Sequence, residues 1–186
     1  MAELAPQGMT YAEYLAAERR SDVKHEYLRG EAYAMAGGTP THAGLAMAVG
    51  VALSNALAGR PCRVYGSDLR VRIDATDLST YPDITVICGR FESASIDPDA
   101  ATNPILIVEV LSDSTEAYDR GEKWAHYRRI ESLQAYVLVS PLAQRLEAFV
   151  RSDAGFVNVV ASADEPLELR CLGARLVPRE IFANTL

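Results

Sequence analysis

The sequence predicts an α/β fold with α+β character, a central mixed β-sheet flanked by helices. Three observations carry this expectation. Helical patterning is confined to windows near residues 10–20, 39–57 and 114–130. From residue 62 onward, short runs rich in β-branched and aromatic residues recur between Gly, Pro, Ser and Asp breaks. One of these runs, 105–111, is apolar throughout except for Glu109, the pattern of a strand covered on both faces.

Each element has a local reason. Thr10 and Glu13 have the spacing of a capping box, which starts a first helix running to about Arg20. Residues 25–35 read as a hairpin around Arg29-Gly30, with Tyr27 and Tyr33 suited to strands. Gly37-Gly38 and Pro40 break the chain, and Thr39 or Thr41 caps a second helix rich in Ala, Leu, Val and Met to about Leu57. Gly59-Arg60-Pro61 ends it. Residues 62–73 form one or two strands interrupted near Gly66-Ser67-Asp68, and 81–88 form a strand entered through Pro82. A polar helix follows from Ser114 to about Ile130, with Trp124, Tyr127 and Ile130 at helical spacing. Residues 135–139 make another central strand, stopped by Ser140-Pro141. A hairpin of 145–151 and 156–161 turns at Asp153-Ala154-Gly155, and Pro178 starts a terminal helical turn.

At 186 residues the chain is expected to form one domain over 1–186, with a core at about 9–151 and an appendage at about 152–186. Hydrophobic residues at 49% and charged residues at 23% exclude a disordered or fibrous chain. The net charge of −7 argues against a broad basic surface, though not against a local basic cleft. Cys62, Cys88 and Cys171 are odd in number and contain no CxxC, so neither a structural zinc site nor a disulfide framework is expected, in keeping with a reducing cytosol. No basic-then-apolar leader and no apolar run of about 20 residues occurs, so the expected location is cytoplasmic, with no membrane contact. No P-loop, GxGxxG or GxSxG pattern occurs, and His25-Glu26 lacks the second His of a zincin, so no organic cofactor is expected.

Two acids stand out. Asp83 follows Pro82 at the start of a strand, and Glu109 lies inside an apolar one. A buried unpaired carboxylate costs several kcal/mol, so Glu109 needs a proton, a partner or a cation. On neighbouring strands the two acids can converge on one Mg²⁺, which accepts one or two carboxylates and keeps water and phosphate oxygens. Equally, Asp83 can cap a turn and Glu109 can pair with a core Arg or Lys. In the following helix, Lys123 and Tyr127 stand at i, i+4, and Arg120 one turn before Lys123. That face can meet a phosphate or orient water, or it can be a solvated basic face paired with Glu122 and Glu131. His25 and His126 read as surface residues.

The motif order resembles the Uma2 (DUF820) family. Pro82-Asp83, then Ile107-Val108-Glu109-Val110-Leu111-Ser112, then Asp119-Arg120-Gly121-Glu122-Lys123-Trp124-Ala125-His126-Tyr127 carry the likeness. Residues 24–35, Thr41-His42 and 136–141 extend it over roughly 9–151. The resemblance implies a PD-(D/E)xK restriction-endonuclease-like fold and a DNA endonuclease using Mg²⁺, with Mn²⁺ as substitute. By resemblance Asp83 and Glu109 hold the metal. The pattern's lysine, two residues after the acid, is replaced by Leu111, which puts Lys123 of the next helix in that role. Glu31, His42 and Tyr127 are possible supporting residues, and Arg120 and Arg128 possible phosphate contacts. Arg60, Arg63, Arg70, Arg72 and Arg129 can add to one basic face. Cleavage of both strands implies a homodimer. The other readings are a non-catalytic nucleic-acid-binding or regulatory module, and a structural homo-oligomer joined through 43–57 or the C-terminal hairpin.

Overall fold

The computed structural model describes residues 8–183. It opens with α1 (Tyr11–Glu18), whose capping box is formed as expected: Thr10 Oγ1 accepts the Glu13 N–H and Glu13 Oε2 accepts the Thr10 N–H. The hairpin of β1 (His25–Leu28) and β2 (Glu31–Ala34) turns at Arg29-Gly30, both at positive φ. Helix α2 (Pro40–Ala56) has Pro at its start, where a missing N–H costs nothing, and Thr39 as its cap. Leu45, Val49 and Leu53, spaced four apart, bury one face of α2 completely.

Six strands form the central sheet. In spatial order they are β12 (Gly155–Ser162), β11 (Arg145–Ser152), β10 (Ala135–Ser140), β9 (Leu106–Val110), β6 (Ile84–Cys88) and β3 (Cys62–Gly66). Only β9 and β10 run parallel, joined by a helical crossover, and all other pairs are antiparallel. Both faces are covered, which is why β9 and β10 read as unbroken apolar runs. On one face, Val86, Val108 and Val137 pack against α2. On the other, Ile107, Leu111, Tyr136 and Leu138 pack with Tyr127, Ile130 and Leu133.

A second six-stranded sheet, in the order β2, β1, β5 (Leu78–Thr80), β4 (Arg70–Ile73), β8 (Asp97–Ala101), β7 (Ser93–Ala94), lies beyond the single sheet expected. Its Val71, Ile73 and Leu78 close the second core cluster. Strands β5, β7 and β8 are too short and polar to announce themselves in sequence.

Three expectations change. The C-terminal segment is no appendage: β13 (Leu167–Leu169), β14 (Ala174–Leu176) and α5 (Pro178–Phe182) contribute Leu167, Leu169, Leu176 and Ile181 to the main core. Cys62 and Cys88 are joined in a disulfide, because the β3–β6 register sets them directly opposite despite a sequence separation of 26. His25 is buried, its Nδ1 2.9 Å from Glu18 Oε2.

The crossover is not one regular helix. It runs as α3 (Glu116–Tyr118), a π-helical turn (Asp119–Lys123) and α4 (Trp124–Tyr127). Tyr136 donates its hydroxyl to the Asp119 carbonyl at 3.0 Å, supporting the turn from the sheet below. Such π-turns recur at functional sites because they re-aim side chains within a helix.

Candidate active site

The extra residue of the π-turn sets where Lys123 and Tyr127 point. Both reach Glu109: Tyr127 donates its hydroxyl to Oε1 at 2.7 Å, and Lys123 Nζ lies 2.9 Å from the same oxygen. The buried position of Lys123 removes the solvated-face reading.

Asp83 stands just before β6, at the level of Glu109 across the β6–β9 register. Asp83 Oδ2 accepts the Val110 N–H at 2.7 Å, and the Asp83 N–H donates to Glu109 Oε2 at 3.3 Å. This reciprocal clasp holds two carboxylates side by side at one edge of the interior. From the other side of the sheet comes His42. The Thr39 cap accepts the His42 N–H at 3.2 Å and fixes the first turn of α2, and His42 Nε2 lies 3.1 Å from Asp83 Oδ2.

Sequence reasoning missed two acids here. Glu26 of β1 lies 3.2 Å from Lys123 Nζ and accepts the Thr80 hydroxyl. Asp119 lies 3.7 Å from the same ammonium, at i, i+4 on the helix. The i, i+4 spacing could have found Asp119; nothing local connects Glu26 to a helix almost a hundred residues away. Glu31, by contrast, sits on β2 and accepts the Tyr33 hydroxyl, and no contact among the described residues joins it to Asp83 or Glu109.

The expected basic face does not assemble. Arg120 donates to both carboxylate oxygens of Glu147 at 2.7 and 2.9 Å and to Glu116 at 2.7 Å, so its fork is committed to these two carboxylates. Arg70 pairs with Asp97, Arg72 with Asp74 and Asp77, and Arg60 with the carbonyls of Leu172 and Gly173. Arg128 is exposed.

Burial pushes the Glu109 carboxyl up to about 8; Lys123 opposes this, while Asp83 and Asp119 add to it. Burial also raises Asp119. Burial alone would lower Lys123, but Glu109, Tyr127, Glu26 and Asp119 hold its pKa well above the ordinary lysine value, so it is an ammonium at neutral pH. The hydrogen bond to Asp83 raises His42, against a smaller opposing effect of burial.

No set of three metal-ligating side chains occurs among the described residues. The two adjacent carboxylates nonetheless suit a hard divalent cation that keeps most of its own water. Asp83 Oδ1 takes no hydrogen bond among the described residues, and a cation beside Glu109 would relieve the cost that burial places on its carboxylate. The donor set therefore fits Mg²⁺ or Mn²⁺ and not a closed structural zinc site.

The Uma2 profile, described as "Putative restriction endonuclease", matches residues 11–177. An uncharacterized protein of Synechocystis sp., slr1290, is 38% identical over 162 residues, covering 87% of this chain and 84% of that protein. A second one, sll1609, is 33% identical over 141 residues, covering 76% and 80%. A crystal structure described as "a putative nuclease belonging to DUF820" from Anabaena variabilis superposes with a TM-score of 0.78 at 18% identity, covering 96% of this chain and 99% of that one. At that identity the likeness speaks for the fold. No helix among the described residues is long and apolar enough to cross a membrane.

Proposed function

The chain belongs to the Uma2 family, and from that membership we propose that it is a Mg²⁺-dependent endonuclease hydrolysing phosphodiester bonds in DNA. The observation that carries the reading is the clasp of Asp83 and Glu109 with the Lys123 ammonium 2.9 Å away. Asp83 and Glu109 would hold the cation, which when bound supplies Lewis acidity at a phosphoryl oxygen.

The remaining steps belong to the protein. Tyr127 and the Asp83 N–H fix the Glu109 carboxylate, so it need not reorganise on meeting substrate. Lys123 takes the place that Leu111 leaves open. Its ammonium orients the attacking water or offsets the charge that grows on the phosphoryl oxygens. Glu26 and Asp119 hold that ammonium in position and protonated. His42 orients Asp83. Arg128 is the remaining candidate for a phosphate contact near this helix, and two copies related by a two-fold axis would address both strands.

The test is Mg²⁺-dependent nicking of plasmid and single-stranded DNA by the wild type and by Glu109→Gln and Lys123→Met, with binding followed in Ca²⁺. Cleavage by the wild type, lost in both variants, is the expected result. Binding in Ca²⁺ with no cleavage by the wild type would replace this reading with that of a binding module.

A further inference from the structure

At the β3 edge of the central sheet, Arg63, Tyr65, Ile87, Gly89 and Phe91 line a cleft of about 280 Å³. It lies just under the ~300–1,000 Å³ common for small-ligand clefts. Tyr65 and Phe91 stand edge-on, with ring centroids 6.4 Å apart. Both rings are half-buried, and Arg63 and Arg90 beside them are exposed. Most other arginines near the sheets are committed to internal partners, as with Arg60, Arg70, Arg72 and Arg120. Arg63 and Arg90 hold no carboxylate among the described residues.

The cleft shares a sheet face with the candidate active site. In the register Tyr65 pairs with Thr85, and Thr85 with Ile107, so these side chains form one row. Asp83 and Glu109, each two residues along its own strand, form the next row on the same face. With strands ~4.8 Å apart and ~3.3 Å per residue, Tyr65 lies about 8 Å from Asp83 and Arg63 about 14 Å, backbone to backbone. These separations are of the size a short stretch of nucleotide chain would span from a phosphate at a cation beside Asp83 and Glu109.

We propose that this cleft receives unpaired bases of a single-stranded DNA segment continuing from the scissile phosphate, with Tyr65 and Phe91 meeting base faces and Arg63 a phosphate. This rests on the nuclease reading above and names its substrate as a strand with unpaired bases next to the cut. A duplex does not satisfy the cleft, because its base faces are already stacked and present only edges and backbone. Half-buried aromatic rings flanked by exposed arginines are an arrangement that single strands use.

Binding of fluorescein-labelled oligo-dT, followed by anisotropy in EDTA, tests this without any need for cleavage. Tyr65→Ala is expected to weaken binding roughly 5- to 160-fold, the range for one lost base stack, while Tyr65→Phe, which keeps the ring, retains it. Arg63→Gln is expected to reduce the slope of log Kd against log salt by about 0.7, one single-strand phosphate. A duplex of the same length should be insensitive to Tyr65→Ala. Wild-type affinity in Tyr65→Ala, or equal weakening by Tyr65→Phe and Tyr65→Ala, overturns the proposal. If those results come with Mg²⁺-dependent cleavage by the wild type, the cleft fails and the nuclease reading stands. If the cleft variants behave as expected and no cleavage occurs, the nuclease reading fails instead.

Discussion

Replacing Lys123 by Met keeps the length of the side chain and removes only its charge. In the wild type the ammonium stands 2.9, 3.2 and 3.7 Å from Glu109, Glu26 and Asp119. All of these side chains are largely shielded from water, so the variant leaves carboxylates without a counter-charge. Breaking a buried pair from one side costs about 3–5 kcal/mol, and that is the expected loss at pH 8. The loss should grow above pH 8, where Glu109 becomes fully ionised in the wild type. The folded pKa of Lys123 is raised, so its contribution is complete below the ordinary lysine pKa and is lost only as pH rises through the higher folded value. Between pH 5 and 8 the lysine contribution is therefore constant. Folded Glu109 ionises only from the top of that window upward, because its folded pKa of about 8 lies above the unfolded value, and its ionisation costs stability as pH rises. Without Lys123 that pKa climbs further, so the variant keeps Glu109 protonated at pH values where the wild type ionises it. Urea unfolding of both proteins at pH 5 and pH 8 measures the difference. A loss below about 1 kcal/mol at pH 8 would refute the picture of Lys123 as the counter-charge. Cleavage by Lys123→Met should fall by about 10²-fold or more while Mn²⁺ still binds.

Calorimetric titration with Mn²⁺ should show binding by the wild type and none by Asp83→Asn or Glu109→Gln; equal binding by all three would remove the site. The wild-type affinity should rise from pH 6 to pH 9, because Glu109 must give up its proton to bind the ion, and titrations in buffers of different ionisation heat would detect the released proton. Arg120→Ala should lower the melting temperature by freeing Glu147 and leave DNA affinity alone, whereas Arg128→Ala should weaken DNA binding and flatten its salt dependence. Leu169→Ala should cost about 2–5 kcal/mol in chemical denaturation if residues 164–183 belong to the core, and a loss near zero would return them to an appendage. Sedimentation should show a species above the 20.2 kDa monomer at micromolar concentration, and a monomer alone would count against a homodimer.

The features legible in the sequence are local or repeated along one segment. The capping box of α1, the Thr39 cap and the Arg29-Gly30 turn are decided within a few residues, where side chains bond their own backbone. The unbroken apolar run of β9 announces a strand covered on both faces, and so singles out Glu109 as a charge that needs a partner. The order of Pro82-Asp83, Glu109 and the Lys123 helix is enough to point to the family. Contacts between distant parts of the chain depend on the folded arrangement. Glu26 reaches Lys123 from almost a hundred residues away, Cys62 meets Cys88 across two paired strands, and Arg120 is spent on Glu147. The π-turn that aims Lys123 and Tyr127 at the same oxygen differs from a continuous α-helix by a single inserted residue, a difference no periodicity count resolves. Strands β5, β7 and β8 of the second sheet, and β13 and β14 of the C-terminal segment, are hidden in the sequence because they are two to five residues long and gain their burial only from distant partners. Strand formation of that kind is a property of the neighbours and not of the strand.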